Sequence, residues 1–317
     1  MAADVWIPNA NDVFLRRELL DLGYDDRAIA REVRSGRWTK VRHGAYATSE
    51  VWKGLSPQRR HRLLCRAVLR TAHPAAALSH ISAAVELDAP TWGVDLGWVH
   101  LTREDGVAGR KQAGVVRHHG EIAEQEIVER DGVRLVTATR AALEVTTVAG
   151  VEQSLVIVNG LLHSNATSAD ELWDTASALR HWPNSLRTEL VLRLADPRIE
   201  SAGESRTYFL CWHEGLPLPE PQVPVYDEQG WLVGTVDFAW RQLGVFLEFD
   251  GREKYLKFRR DGESLEEFLM RERKREELIC ALTGWVCIRI TWADLERPAQ
   301  TARRIRQLLS SRRRRVA

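Results

Sequence analysis

Two carboxylates carry the chemistry that this sequence offers. In the stretch 234–251, GTVDFAWRQLGVFLEFDG, residues 236–240 and 245–250 read as two strands, joined by Arg241-Gln242-Leu243-Gly244. If Trp240 pairs with Val245, antiparallel register sets Ala239 against Phe246, Phe238 against Leu247 and Asp237 against Glu248. Directly opposed residues have Cβ atoms about 4.5–5.5 Å apart and point to one face. Two carboxylates so placed repel each other unless a proton or cation lies between them. A hard divalent ion such as Mg²⁺ or Mn²⁺ meets that need, because it binds through one or two carboxylates and keeps several waters. Such an ion lowers the pKa of a bound water and offsets charge at a reacting phosphoryl centre.

The elements around the hairpin bring further charges. A helix over 200–214 carries Glu204 on the face of Tyr208 and Cys211. A second helix over 263–282 has an apolar stripe of Leu265, Leu269, Ile279 and Leu282, with Glu272 and Glu276 near its centre. An acid pair on a buried face needs partners, and Arg275, Arg289 and Lys254 are the candidates. The last strand is 285–290 and the last helix 298–309, so the order is helix, three strands, helix, strand, helix.

At the other end, Asn11 or Asp12 can cap a helix reaching Leu22, and Asp25 or Asp26 one over 27–34 that stops at Gly36. Residues 38–46 read as a two-stranded ribbon. Two short helices and a ribbon make a winged helix-turn-helix. Between Arg27 and Arg42 six basic residues (Arg27, Arg31, Arg34, Arg37, Lys40, Arg42) face one acid, Glu32. Arg27, Arg31 and Arg34 share a helix face, which suits a helix entering the major groove while the ribbon follows the backbone.

The middle alternates helices (57–72, one opening at Ser79, 139–148, 151–162) with strands (98–102, 115–118, 133–136), and a helical stretch over 168–196 follows, its Trp173 and Trp182 reading as core. His80, His118 and His119 lie on different elements and read as core or surface side chains. Residues 121–131 carry five acids and read as a solvated loop. The expected fold is thus multidomain α+β and α/β: a winged helix-turn-helix over 1–52, a mixed α/β domain with helical linker over 53–196, and an α/β domain over 197–317.

The 317 residues are 44% hydrophobic and 28% charged with a net charge of +1, a globular composition. Charge is uneven: residues 51–85 hold six Lys or Arg and no acid, and the chain ends in an arginine run that reads as a solvated tail or a nucleic-acid contact. The four cysteines form no C-x-x-C pair and read as buried free thiols. No apolar run reaches the length of a membrane span, so a cytoplasmic, membrane-free location is expected.

Leu19-Leu20-Asp21-Leu22-Gly23, Arg34-Ser35-Gly36-Arg37-Trp38 and Val41-Arg42-His43-Gly44-Ala45-Tyr46 resemble the N-terminal domain of AbiEi-family antitoxins of type IV toxin–antitoxin systems. Residues 79–84 (SHISAA) and 139–144 (TRAALE) resemble later signatures of that family, whose middle region is an interaction domain. The resemblance implies a DNA-binding module and a toxin protein as partner. The C-terminal motifs (236–240, Glu248-Phe249-Asp250-Gly251, Lys254-Tyr255, Arg271-Glu272, Arg275-Glu276, Gly284-Trp285, 289–292) resemble the Vsr-like branch of the PD-(D/E)XK nucleases. That likeness implies a restriction-endonuclease-like fold, Asp237 and Glu248 as metal ligands with Glu204 as the helix carboxylate, and Mg²⁺- or Mn²⁺-dependent hydrolysis of DNA. Position 250 is Asp where the pattern has Lys, and Lys254 is the substitute that would hold the water or the scissile phosphate. Asp250 would then bind a second ion or orient Lys254, with Glu272, Arg275 and Glu276 behind. The alternative is an AbiEi-type regulator whose nuclease-like domain is a degenerate binding module.

Overall fold

Phe14 and Leu15, the first apolar pair of the chain that the structure describes, are strand rather than helix. They pair with the ribbon at Tyr46 and Ala45, so the first helix begins only at Arg16. The structure is a computed structural model that describes residues 13–103, 109–120, 122–179, 182, 184–251 and 262–316. Asn11 and Asp12, expected as caps, lie outside those residues. The chain divides into two units, 1–157 with 166–189, and 158–165 with 190–317.

The first unit opens with β1 (Phe14–Leu15), α1 (Arg16–Asp21), α2 (Asp26–Arg34), β2 (Trp38–Arg42) and β3 (Ala45–Thr48), the strands lying in the order β1-β3-β2. Gly23, at φ +87°, turns the chain between the helices, and the Asp25 side chain accepts the Ala28 N–H to cap α2. Phe14, Leu19, Ile29 and Trp38 form the core of this winged helix-turn-helix. Val13, Leu15 and Ala45 pack on Leu63 and Ala67 of the following helix pair, α3 (Ser49–Gly54) and α4 (Pro57–Leu69).

Then come β4 (Ala76–Leu78), α5 (His80–Glu86), β5 (Val99–Arg103), β6 (Arg110–Gln112), β7 (Val115–His118), β8 (Ile127–Arg130), β9 (Val133–Val136), α6 (Ala138–Val148), α7 (Val151–His163), α8 (Ala169–Ala178) and α9 (Ser185–Leu194). The strands make one sheet, β6-β7-β5-β4-β9-β8. The acidic stretch 121–131 departs from a solvated loop: Ile127 and Val128 pair with Val136 and Leu135, so it supplies edge strand β8. Trp173 is 39% exposed and not core. Trp182 is half-buried, stacked under the Arg140 guanidinium at 4.4 Å. Cys65 and Cys211 are buried, while Cys280 and Cys287 are half-buried.

The second unit comprises α10 (Ala202–His213), β10 (Glu220–Tyr226), β11 (Leu232–Trp240), β12 (Val245–Asp250), α11 (Leu265–Thr283), β13 (Val286–Thr291), α12 (Trp292–Leu295) and α13 (Pro298–Val316). Its sheet runs β10-β11-β12-β13, with β12 and β13 parallel and the other pairs antiparallel. One face buries Phe238, Leu247, Phe249 and Ile290 against Leu210 and Cys211 of α10 and Ala302, Ile305 and Leu309 of α13. The other buries Val223, Val236 and Phe246 against Ile279 of α11.

Two expectations are corrected here. In α11 the buried apolar residues are Phe268 and Ile279, whereas Leu265, Leu269 and Leu282 are 49%, 45% and 37% exposed. The face turned to the sheet is filled by charged side chains, which displaces the leucines. The arginine run belongs to a helix, α13 extending to Val316; its first member, Arg312, donates to the Leu243 and Gly284 carbonyls at 3.3 and 3.0 Å while Arg313 is exposed, and Arg306 before it donates to the Glu214 carbonyl at the end of α10 at 2.7 Å. These are carbonyls left unpaired where elements end, so guanidinium groups are their natural partners. No described helix is long and apolar enough to cross a membrane.

Gly203 marks where α10 presses on the sheet, since a Cβ there would meet the Phe249 ring at 2.0 Å. Gly203→Ala is expected to cost about 1–3 kcal/mol through overpacking. Urea denaturation checks this; an unchanged midpoint would show that the ring can move aside.

Candidate functional site

The hairpin has the expected register, Trp240 with Val245, Ala239 with Phe246 and Phe238 with Leu247. One step further, the Asp237 side chain takes over from the ladder: its Oδ2 accepts the Phe249 backbone N–H at 2.7 Å. Asp237 and Glu248 are 7% and 4% exposed. On the far side Glu248 stands in register with Arg289 of β13. On the near side Pro221 and Val223 pair with Phe238 and Val236, which puts Gln222 abreast of Asp237. A polar row, Gln222, Asp237, Glu248, Arg289, therefore crosses the sheet.

Gln222 is a site residue that motif reading missed. Its φ of +51° is unusual for a side chain with a Cβ, and its Nε2 donates to Glu204 Oε2 at 3.1 Å. Glu204 is 3% exposed. It also accepts the Ser201 hydroxyl at 2.7 Å and the Glu200 N–H at 3.1 Å, so it closes the start of α10. Glu204 thus reaches the row through Gln222.

Arginines compensate the remaining acids. Arg275 Nη2 lies 3.1 Å from Glu248 Oε1 and 3.2 Å from Glu272 Oε2, while its Nη1 donates to the Thr235 carbonyl at 3.1 Å. Burial alone would lower the Arg275 pKa; Glu248 and Glu272, with Asp237 adding to them, outweigh it and raise it. Arg289 Nη1 donates to both Asp250 oxygens at 2.9 Å, and its Nε to Glu276 Oε2 at 2.7 Å. Those hydrogen bonds likewise outweigh burial and raise the Arg289 pKa. Asp250 is thereby held by Arg289. Lys254, expected to hold the water or the scissile phosphate, lies outside the described residues.

A cleft of about 380 Å³ opens beside the row, lined by Glu248, Asp250, Phe268, Leu269, Glu272, Arg273, Glu276 and Arg289. Asp237 and Glu248 are suitable donors for Mg²⁺ or Mn²⁺, which need only one or two carboxylates. Among the described residues, however, no group of three or more His, Cys, Asp or Glu side chains is set to hold a metal ion. Glu204, expected as the helix carboxylate, is turned to its own helix start.

On the winged helix, Arg27, Arg31 and Arg34 are exposed along α2. Arg37 is committed elsewhere, its Nε and Nη2 donating to the buried Glu32 at 2.5 and 2.6 Å. Lys40 is exposed; Arg42 is half-buried, with Nη1 lacking a hydrogen-bond partner, and its pKa is lowered by burial and then by Arg117.

The first unit also gathers histidines that sequence spacing keeps apart. His80 and His118 stack with ring centroids 3.5 Å apart, and His100 Nδ1 and His118 Nε2 are 2.8 Å apart. Glu144 Oε2 accepts the His80 backbone N–H at 2.9 Å, and Arg140 Nε donates to Glu144 Oε1 at 2.9 Å. The 79–84 and 139–144 stretches thus meet in the core. His119, by contrast, is exposed. Burial, with the neighbouring histidines, lowers the His80 pKa and takes His100 to about 3; burial alone takes His118 to about 4.

The N-terminal segment is two short helices on a three-stranded sheet, with exposed arginines along α2. Residues 7–49 match the family model described as transcriptional regulator, AbiEi antitoxin. The N-terminal segment is therefore an AbiEi-type antitoxin transcriptional-regulator domain. Over 276 residues the chain is 28% identical to the uncharacterized proteins Rv2248 and MT2308 of Mycobacterium tuberculosis, strains H37Rv and CDC 1551, covering 86% of this chain and 93% of theirs. It is also similar to the crystal structure of the RV2827C protein from Mycobacterium tuberculosis, at 18% identity and a TM-score of 0.39, over 60% of this chain and 78% of that one.

The histidine cluster gives a pH prediction. An unfolded histidine titrates near 6.5, and these take up protons far less readily when folded. Their contribution is present above about pH 6.5 and is lost as the pH falls toward the folded values. Glu144, whose pKa burial raises, acts in the opposite sense. The melting temperature should fall between pH 7 and 5, and His118→Phe should flatten that fall; an unchanged slope in the variant would contradict the assignment.

Proposed function

We propose that the protein is a DNA-binding regulator of the AbiEi antitoxin type, with α2 as its recognition helix. The observation that carries this reading is the free face of α2. Arg27 and Arg34 are exposed and make no ion pair among the described residues, and Arg31 touches Glu32 only at 4.0 Å. Guanidinium groups two helical turns apart, with Arg31 between them, suit phosphates and base edges of the major groove. Lys40 on the ribbon suits the adjacent backbone, while Arg37 serves to hold Glu32. A toxin protein is the partner that the family match supports, with the six-stranded sheet and its helices as the interaction domain.

A second reading, for the second unit, is metal-dependent phosphodiester hydrolysis on a restriction-endonuclease-like fold. It is favoured by one observation: Asp237 and Glu248 are both buried on neighbouring antiparallel strands within a helix, three strands, helix, strand order. Asp237 and Glu248 would hold a Mg²⁺ or Mn²⁺ ion at the reacting centre, and Lys254 is the residue expected to hold the water or the scissile phosphate. The donors fit such an ion, which would supply an activated water. The chain's own groups would orient it and hold the phosphate.

Two experiments separate the readings. Arg27→Ala and Arg34→Ala should each lower the slope of log Kd against log salt by about 1, as expected when one phosphate is no longer neutralised. Fluorescence anisotropy with operator DNA measures this, and wild-type slopes in both variants would remove α2 from the interface. Asp237→Asn and Glu248→Gln should bind DNA like the wild type yet lose any Mn²⁺-dependent nicking of supercoiled DNA. Equal nicking in all three proteins would sink the hydrolase reading.

A further inference from the structure

We propose that Arg42, Arg110 and Arg117 form a seat for phosphate groups of the DNA backbone, so that the six-stranded sheet binds DNA together with the winged helix. This rests on the reading of the protein as a DNA-binding regulator and extends its contact beyond α2.

The three arginines come from two sheets. Arg42 ends β2 of the ribbon. Arg110 and Arg117 lie on β6 and β7, the edge strand of the six-stranded sheet and its neighbour. They stand directly opposite each other in antiparallel register, and both are exposed. Opposed residues have Cβ atoms about 4.5–5.5 Å apart on one face, where like charges repel. Gly109 keeps the two strands close, since a Cβ there would meet the Arg117 carbonyl oxygen at 2.6 Å. Arg42 brings a third positive charge to the same place: burial, and then Arg117 beside it, lowers the Arg42 pKa.

Among the described residues no acid pairs with any of the three. Arg42 Nη1 is covered from water and has no hydrogen-bond partner. A covered donor left unpaired costs stability. Other half-buried or buried arginines of this unit are matched: Arg62 with Asp88 and the Val85 carbonyl, Arg140 with Glu126 and Glu144. Charge on an edge strand deters pairing with other chains, which accounts for Arg110. It does not account for Arg117 on the second strand, or for Arg42 in a different sheet. An oxyanion accounts for all three, because guanidinium groups bind phosphate oxygens through charge-assisted hydrogen bonds. The DNA backbone is the oxyanion that the position favours. Lys40, exposed on the same strand as Arg42, is the ribbon residue already assigned to it.

The test is fluorescence anisotropy of the full-length protein with a labelled duplex of mixed sequence over a range of salt. Arg110→Ala and Arg117→Ala should each lower the slope of log Kd against log salt by about 1, and the double variant by about 2. Without DNA, Arg117→Ala should melt no lower than the wild type, since it removes a repulsion. A lower melting temperature would show that Arg117 holds the fold and would overturn the seat. Arg27→Ala is the control on α2. If it lowers the slope and both sheet variants keep the wild-type slope, the seat fails while the DNA-binding reading stands. If all three variants keep the wild-type slope, both fail. Inorganic phosphate separates the sources of the anion. Should it raise the melting temperature of the wild type but not of Arg117→Ala, with the salt slopes unchanged, the seat would hold small phosphates and the DNA contact would be refuted.

Discussion

A carboxylate buried between neighbouring strands needs a cation beside it. In the second unit that single electrostatic demand shapes what lies around the sheet. Glu248 is nearly inaccessible, and so is its neighbour Asp237, which accepts the Phe249 backbone N–H. The chain answers with Arg275, and Arg275 in turn constrains its surroundings. Position 234 must be small, the Thr235 carbonyl must be open, and α11 must turn a polar face to β11. Ion pairs that are taken out of water need this completeness, because a partner missing from a buried pair costs about 3–5 kcal/mol. The Arg289 pairing with Asp250 and Glu276 repeats the arrangement one residue pair further along.

Guanidinium groups recur through the fold in a second role, as partners for carbonyls that elements leave open. Arg60 donates to the Trp52 and Lys53 carbonyls at the end of α3 at 3.0 and 3.2 Å, and Arg62 to the Val85 carbonyl of α5. Arg306 and Arg312 do the same from α13. The basic runs in the sequence are therefore largely internal staples. Arg27 and Arg34 differ in kind: they are exposed and unpaired among the described residues, and this separates a recognition face from a structural one.

How much of this was legible follows from the physics of each element. The hairpin register could be read because alternating bulky residues allow one pairing that keeps both faces apolar. The α2 boundaries could be read from Asp25 and Gly36, both of which act locally. The buried face of α11 could not, since apolar periodicity pointed to Leu265 and Leu269, and only the acids on the sheet explain why arginine and glutamate face inward. The start of α1 was hidden because pairing with β3, a contact over some thirty residues, overrides local helix signals. Strand β8 was masked by its acids, which an edge strand tolerates on its exposed side. The histidines were discounted because they sit on separate elements, and only the sheet order brings β5 and β7 together. Gln222 carries no motif at all; its role comes from standing abreast of Asp237.

The central claim is that Glu248 and Arg275 act as one unit at the carboxylate pair. A double-mutant cycle of Glu248→Gln and Arg275→Gln, followed by urea unfolding, tests it most directly. Each single change breaks the 3.1 Å contact between the two charges, whereas the double change removes both charges. The double variant is predicted to be more stable than the sum of the single losses allows, with a coupling of about 1–3 kcal/mol. Strictly additive losses would show that the two side chains do not hold each other, and would contradict the account.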